Sequence, residues 1–346
     1  MRKIVINTIK YLAFFAIGIL IFWLLYRKIK WQELVGALKG LKYYWLVVSV
    51  ILGLLSQLSR SLRWKMLMKP MGYNPLLSNV FLSVLILYFV NLIVPRAGEV
   101  ARCTVLARTD KIPFTKLIGT VFIERLADLV MLLLLALIIF TMNISVIIKF
   151  FGLHPAILAN LHKFLTLKYI LLLLAGLLLF LVFVIFLRKG LKKSRKRSKL
   201  VELKNQFLDG IKSIIHMERK WLFIGHTAFI FLMWLLMLYV VFLAYKPTED
   251  LTLRAGMVVF LMGGLGMLAP IQGGIGPWHF MVAETLVLYG IQREDGLIFA
   301  LVAHTTTNLI YIVLGGIALL ILILKYGNTT ISLRPAEKEK QAILNN

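Results

Sequence analysis

The sequence predicts an all-α fold: a polytopic membrane helix bundle with about six full transmembrane helices and two re-entrant helical hairpins in an inverted arrangement. Three observations carry that expectation. Of 346 residues, 60% are hydrophobic and only 16% charged, more apolar sequence than a soluble core of this size uses. Residues 169–187, YILLLLAGLLLFLVFVIFL, hold no charge over a length that crosses about 30 Å of hydrocarbon as a helix. Two other apolar stretches are broken at their midpoints, by PRAGE at 95–99 and by PIQGGIGP at 270–277. Broken backbone at bilayer depth is tolerated only where protein buries it or where it lines a wet cavity.

Taken in order, residues 8–26 read as an uncleaved first span, because Arg27 and Lys28 follow where a signal peptide would carry a small-residue cleavage site. Residues 27–42 combine Arg27, Lys28, Lys30, Lys39 and Lys42 with apolar residues at helical spacing (Trp31, Leu34, Val35, Leu38, Leu41), the pattern of a short helix lying in the membrane interface. Further spans are predicted at 44–67, 114–142, 166–187, 220–245 and 295–325. The broken segments 76–108 and 253–291 are each long enough to enter the membrane and return. Residues 1–325 form one membrane domain, and 326–346 a short polar tail.

The formal charge of +25 is placed to set topology rather than to bind nucleic acid. Eight of the twelve residues at 188–199 are Lys or Arg, directly after a predicted span, which fixes that block in the cytoplasm. Counting crossings from it puts both termini in the cytoplasm and the protein in the cell membrane. The first hairpin then opens from the cytoplasm and the second from outside. Were the first broken segment to cross fully, the N-terminus would move outside. The single cysteine, Cys103, excludes intrachain disulfides and a multi-cysteine metal site.

Ionisable groups inside membrane helices are rare and face the protein interior or water. Arg60 and Arg63 lie three apart on one face of the second span, either as snorkelling groups or as a phosphate guide. After Pro95, a restarting helix places Glu99 in its first turn and Arg102 one turn later, so that these two can pair. Arg96, at the break itself, has no local partner and suits bidentate capture of a phosphate or carboxylate. The next span carries Glu124, Arg125 and Asp128. Arg125 and Asp128 can neutralise each other, leaving Glu124 to meet Arg96 or Arg102 or to carry a proton.

In the second break, Gly273, Gly274 and Gly276 permit positive φ, and Pro277 is placed to start a returning half-helix. Its N-terminal N–H groups, with Gln272 beside them, would form an anion site, unless the glycines serve only a close helix crossing. His279, Glu284, His304 and Asn308 are polar groups on apolar helices. His304 and Asn308 share a face. HFMVAE lacks the HExxH spacing of a zinc site, so neither metal nor cofactor is expected.

PRAGExxR at 95–102, ERLAD at 124–128 and PxxGGxG at 270–276 together resemble the lysylphosphatidylglycerol synthase transmembrane region family, a flippase-like domain found alone or fused to an aminoacyl-transferase. The resemblance covers nearly the whole chain. It implies a lipid-translocating membrane domain, with Glu284 the loose match for an acidic residue that follows the glycine break. No segment here is long or polar enough to be the transferase.

The expected function is therefore a flippase or transporter of an anionic or amphiphilic lipid. Arg96, Arg102 and the glycine backbone would bind the headgroup, Glu99, Glu124 and Asp128 would orient the arginines, and Arg60 and Arg63 would guide the phosphate. The alternative is a membrane enzyme, or a membrane subunit that partners a separate transferase in modifying lipid-linked substrates. Neither GxSxG nor HExxH is present to support catalysis by the chain itself. Expected partners are anionic membrane lipids, a separate transferase or a second copy of the chain.

Overall fold

The computed structural model describes residues 16–94, 96–153, 199–214, 217–269 and 271–327. The start of the first predicted span, the span at 166–187, the basic block up to residue 198 and nearly all of the tail lie outside the described residues. Among the described residues every regular element is a helix: α1 (Ala16–Tyr26), α2 (Trp31–Lys39), α3 (Tyr43–Met68), α4 (Leu77–Ile93), α5 (Gly98–Thr109), α6 (Phe114–Met142), α7 (Ile144–Leu153), α8 (Lys199–Lys212), α9 (Lys220–Ala244), α10 (Leu253–Gly266), α11 (Pro277–Val287) and α12 (Arg293–Tyr326).

Four of these, α3 with its short 3₁₀ extension to Met71, α6, α9 and α12, are long and apolar enough to cross a membrane, and they match four of the six predicted spans. α1, α4 and α10 are shorter apolar helices. α7 was not anticipated, because its run of apolar residues continues directly from α6 with only Asn143 between them. Leu126, Leu129, Val130, Leu133, Leu134 and Leu137 of α6 point outward, forming an apolar stripe that water would not support and lipid does.

Both broken segments fold as a helix, a short irregular stretch and a second helix packed back on the first. At the first, Gly98 sits so close to α4 that a Cβ there would fall 2.1 Å from the Leu87 carbonyl oxygen, and its N–H donates to Asn91 Oδ1 at 2.8 Å. At the second, a Cβ on Gly266 would lie 2.9 Å from the Pro277 carbonyl oxygen. Small residues are thus what allow each pair of helices to close up.

α3 and α9 pack along each other and organise the rest. Trp64, Leu67 and Met68, late in α3, join Val80 and Val84 of α4, Cys103 and Leu106 of α5 and Phe223, early in α9, in one hydrophobic cluster. Leu238, Val241 and Phe242, late in α9, join Ala255 and Val259 of α10, Val282 and Leu286 of α11, Phe299 of α12 and Leu41 in another. The open ends of the two helix pairs are therefore anchored at opposite ends of α9. Their tips meet between them: α4 packs against the turn at Gln272–Gly274, with Leu92 Cδ2 beside Gly273, and α1 covers the second break through Gly18 and Ile21.

Candidate functional site

Seven ionisable residues from α3, α5 and α6 converge beside the first break. Arg63 is fully buried and donates to Asp128 Oδ1 at 2.6 Å, to Thr227 Oγ1 of α9 at 3.0 Å and to Glu124 Oε1 at 3.3 Å. Arg102, also fully buried, holds the other oxygen of Glu124 at 2.6 Å and Glu99 Oε2 at 2.7 Å. Arg60 Nη2 reaches Asp128 Oδ2 at 3.5 Å. Arg125 lies 3.0 Å from Asp128 Oδ2 and 3.5 Å from Glu99 Oε1, and its side chain remains 42% exposed.

Helical spacing produces this convergence. Arg60 and Arg63 occupy one face of α3, and Glu124 and Asp128 one face of α6, so two guanidiniums meet two carboxylates as the helices pack. Aromatic rings cover the remaining guanidinium faces: Trp64 lies 4.3 Å from Arg102, Trp234 5.0 Å from Arg60 and Phe223 5.6 Å from Arg63. Trp64 is itself fixed by a 2.8 Å hydrogen bond to Thr120. No sequence spacing links Arg60, Arg63 or Arg102 to their ring partners, so this part of the site could not be read beforehand.

Between the tips of the two helix pairs lies a cavity of about 910 Å³. Arg96, Arg125, Asp128 and Asn91 line it from the first side, and Gly273, Gly274, His304 and Asn308 from the second. Its walls are largely apolar and aromatic, including Tyr88, Trp234, Phe260, Trp278 and Tyr311. Tyr88 and Tyr311 stack at 4.3 Å, and Gln57 donates to the Tyr311 hydroxyl at 3.2 Å.

Arg96 is exposed, and among the described residues its guanidinium has no hydrogen-bond or ion-pair partner. Its backbone is left-handed, with φ of 63°, a conformation costing a non-glycine residue about 1–2 kcal/mol. Something other than local preference keeps an arginine there.

The second break is built differently. Gly273, Gly274 and Gly276 have φ of 59°, 69° and 94°, and α11 begins at Pro277. Two histidines tie this backbone down. The Gly276 N–H donates to His279 Nδ1 at 3.3 Å, and His304 Nε2 lies 2.7 Å from the Gly273 carbonyl. A carbonyl only accepts, so His304 carries its proton on Nε2, and Nδ1 accepts from the Asn308 amide at 3.0 Å. The two rings meet edge to face at 4.6 Å. The expectation of bare donors is thus modified, because Gly276 and Gly274 already have acceptors, the latter in Ile271 O at 3.1 Å.

Of the predicted site residues, Arg96, Arg125, Asp128, Gly273 and Gly274 share the cavity. Arg60, Arg63, Arg102 and Glu124 lie buried behind it, with Glu99 bridging Arg102 and Arg125. Arg60 and Arg63 neither snorkel nor stand free to guide a phosphate, because packing and the carboxylates of α6 enclose them. Gly276 supports the turn against Ile21. Glu284 is directed elsewhere, 2.6 Å from Arg293. The Gln272 side chain lies outside what the structure describes.

The family described as "Lysylphosphatidylglycerol synthase TM region" matches residues 11–315, a stretch containing every element from α1 to most of α12. The chain belongs to this family. It is also similar to the UPF0104 membrane protein MJ1595 of Methanocaldococcus jannaschii, at 26% identity over 290 residues that cover 80% of this chain and 84% of that protein. No solved structure matches it. Family membership and the apolar helices together make this an integral membrane protein.

Proposed function

We propose that this family member is a lipid transporter that moves an anionic or amphiphilic phospholipid across the cell membrane, holding the headgroup in the cavity between the two breaks. One observation carries the reading: an unpartnered arginine, Arg96, faces a largely apolar cavity that the opposite break closes with backbone and histidine. A guanidinium takes phosphate oxygens in a bidentate fork, and apolar walls accommodate the start of an acyl chain. Anchorage of the two helix pairs at opposite ends of α9 supports hairpins that enter from opposite membrane faces, and the basic block at 188–199 supports cytoplasmic termini. In this arrangement Glu99, Glu124 and Asp128 hold the arginines in place, whereas Arg96 and Arg125 meet the ligand.

The test is transbilayer movement of acyl-chain-labelled anionic phospholipids, phosphomonoester and phosphodiester, in vesicles containing the purified protein. The wild-type chain should accelerate it, and Arg96→Ala should reduce that acceleration at least tenfold while the protein stays folded. Equal rates in protein-containing and empty vesicles, across anionic lipids, would remove transport from consideration.

A further inference from the structure

Counting charge in the arginine network separates one of its members from the rest. Arg60, Arg63 and Arg102 are buried and face three carboxylates, and each carboxylate touches at least one of them: Glu124 meets Arg63 and Arg102, Asp128 meets Arg63 and Arg60, and Glu99 meets Arg102. That set is balanced without Arg125. Arg125 brings the network to four guanidiniums against three carboxylates, one positive charge in excess, and although it touches Asp128 at 3.0 Å it is the guanidinium that remains half-exposed and lines the cavity. Its contact with Glu99 is long, at 3.5 Å, and Asp128 keeps its 2.6 Å bond to Arg63 whether Arg125 stays or turns away. Arg96 is a second uncompensated cation on the same cavity. His304 adds no charge, since one ring nitrogen donates and the other accepts.

We infer that Arg96 and Arg125 together select a phosphorus headgroup carrying two negative charges, a lipid phosphomonoester or diphosphate, over a phosphodiester carrying one. The inference rests on the transport reading and specifies its substrate class. Two surplus positive charges beside apolar walls are costly until matched, and a single-charge phosphodiester leaves one of them unmatched. A phosphomonoester with a second pKa of about 6 carries close to two charges at neutral pH. Arg125 can turn to it because no carboxylate thereby loses its last arginine.

The experiment measures binding of didecanoyl phosphatidic acid, didecanoyl phosphatidylglycerol and inorganic phosphate to the full chain in neutral detergent at pH 8, by native mass spectrometry with titration. The phosphomonoester lipid should bind at least tenfold more tightly than the phosphodiester lipid. Arg125→Gln and Arg96→Gln should each reduce that ratio to about threefold or less, while Arg125→Lys should retain most of it; an unchanged melting temperature shows that these variants are folded. Lowering the pH to 5 should weaken the phosphomonoester lipid selectively, since it then carries one charge.

Equal wild-type affinity for the two lipids would overturn the two-charge inference and leave lipid transport standing. Binding of neither lipid would overturn both. Inorganic phosphate binding as tightly as the phosphomonoester lipid would preserve the charge selection and overturn the lipid reading. A ratio unchanged in Arg125→Gln would remove Arg125 from the site.

Discussion

The two breaks solve one problem, interrupting a helix inside a membrane protein, with opposite chemistry. The first uses charge: its returning helix carries Glu99 and Arg102 into a network with α3 and α6, and its turn holds Arg96 in a left-handed conformation. The second uses backbone: three positive-φ glycines, a proline at the helix start, and two histidines that bond to Gly273 and Gly276. A buried ion network fixes the positions of distant helices, because its members come from several elements and cannot be separated cheaply. A glycine turn fixes little beyond itself and needs neighbours such as α1 and His304 to hold it. The first break is therefore expected to be the rigid wall of the cavity, and the second the part that gives way.

Glu124→Gln is the most severe way to break this comparison. Glu124 is fully buried and accepts from both Arg63 and Arg102, so removing its charge leaves two buried guanidiniums short of a partner. Losing one member of a buried charge pair costs about 3–5 kcal/mol. The variant should therefore lose most of its folded yield in mild detergent, with a melting temperature lowered by several degrees or more in what remains. If Glu124→Gln melts like wild type, the network does not fix the wall.

Glycine-to-alanine changes compare the tips directly. At Gly98 the added methyl meets a main-chain carbonyl at 2.1 Å, and neither helix can yield without separating. At Gly266 the nearest atom is 2.9 Å away, at the start of a helix that follows a glycine turn. Overpacking costs about 1–3 kcal/mol. Gly98→Ala should fall at the upper end and Gly266→Ala at the lower, as read by the denaturant midpoints of the two variants. The reverse order would make the second break the stiffer one.

These cases also show how far the sequence could be read. Long apolar runs placed α3, α6, α9 and α12 within a few residues, because hydrocarbon thickness sets the helix length needed to cross it. The i, i+3 and i, i+4 pairs were legible too: Glu99 with Arg102, Arg125 with Asp128, and His304 with Asn308. Between distant helices the sequence left Glu124 a choice of Arg96 or Arg102, and the structure pairs it with Arg102. The partners of Arg63 were not legible, since nothing in its spacing reveals that α3 packs against the face of α6 bearing Glu124 and Asp128. Nor could Glu284 be directed to Arg293 rather than to the cavity, because a turn separates the two. Sequence reading found which groups cannot face lipid, and packing decided which of them face the cavity.

His279→Leu tests how far the second break depends on its histidine. The ring accepts the Gly276 N–H and packs edge-on against Phe22, Tyr26, Trp278 and His304. Leucine keeps much of the apolar contact but leaves a buried N–H without an acceptor, a loss of about 1–3 kcal/mol. Hydrogen exchange at residues 271–280 should quicken about tenfold or more, while exchange in α5 and α6 stays as in wild type. Faster exchange in α5 as well would mean that the two breaks share one cooperative unit and that the contrast between them is only chemical.

Arg96→Gly carries the smallest expected change in stability, with the opposite sign. Glycine adopts φ of 63° without the Cβ clash that arginine endures, a relief of up to about 1 kcal/mol, partly offset by the greater freedom of glycine in the unfolded chain. Among the described residues no ion pair is lost with the side chain, so the variant should melt at or slightly above the wild-type temperature. Lipid movement should fall at least tenfold nonetheless, and Arg96→Ala, which keeps the strain and loses the charge, should transport as poorly without the gain in stability. A strained residue whose removal stabilises the fold and disables transport is held there by its function. If Arg96→Gly transports at the wild-type rate, the first break is a structural wall alone, and headgroup capture has to come from Arg125.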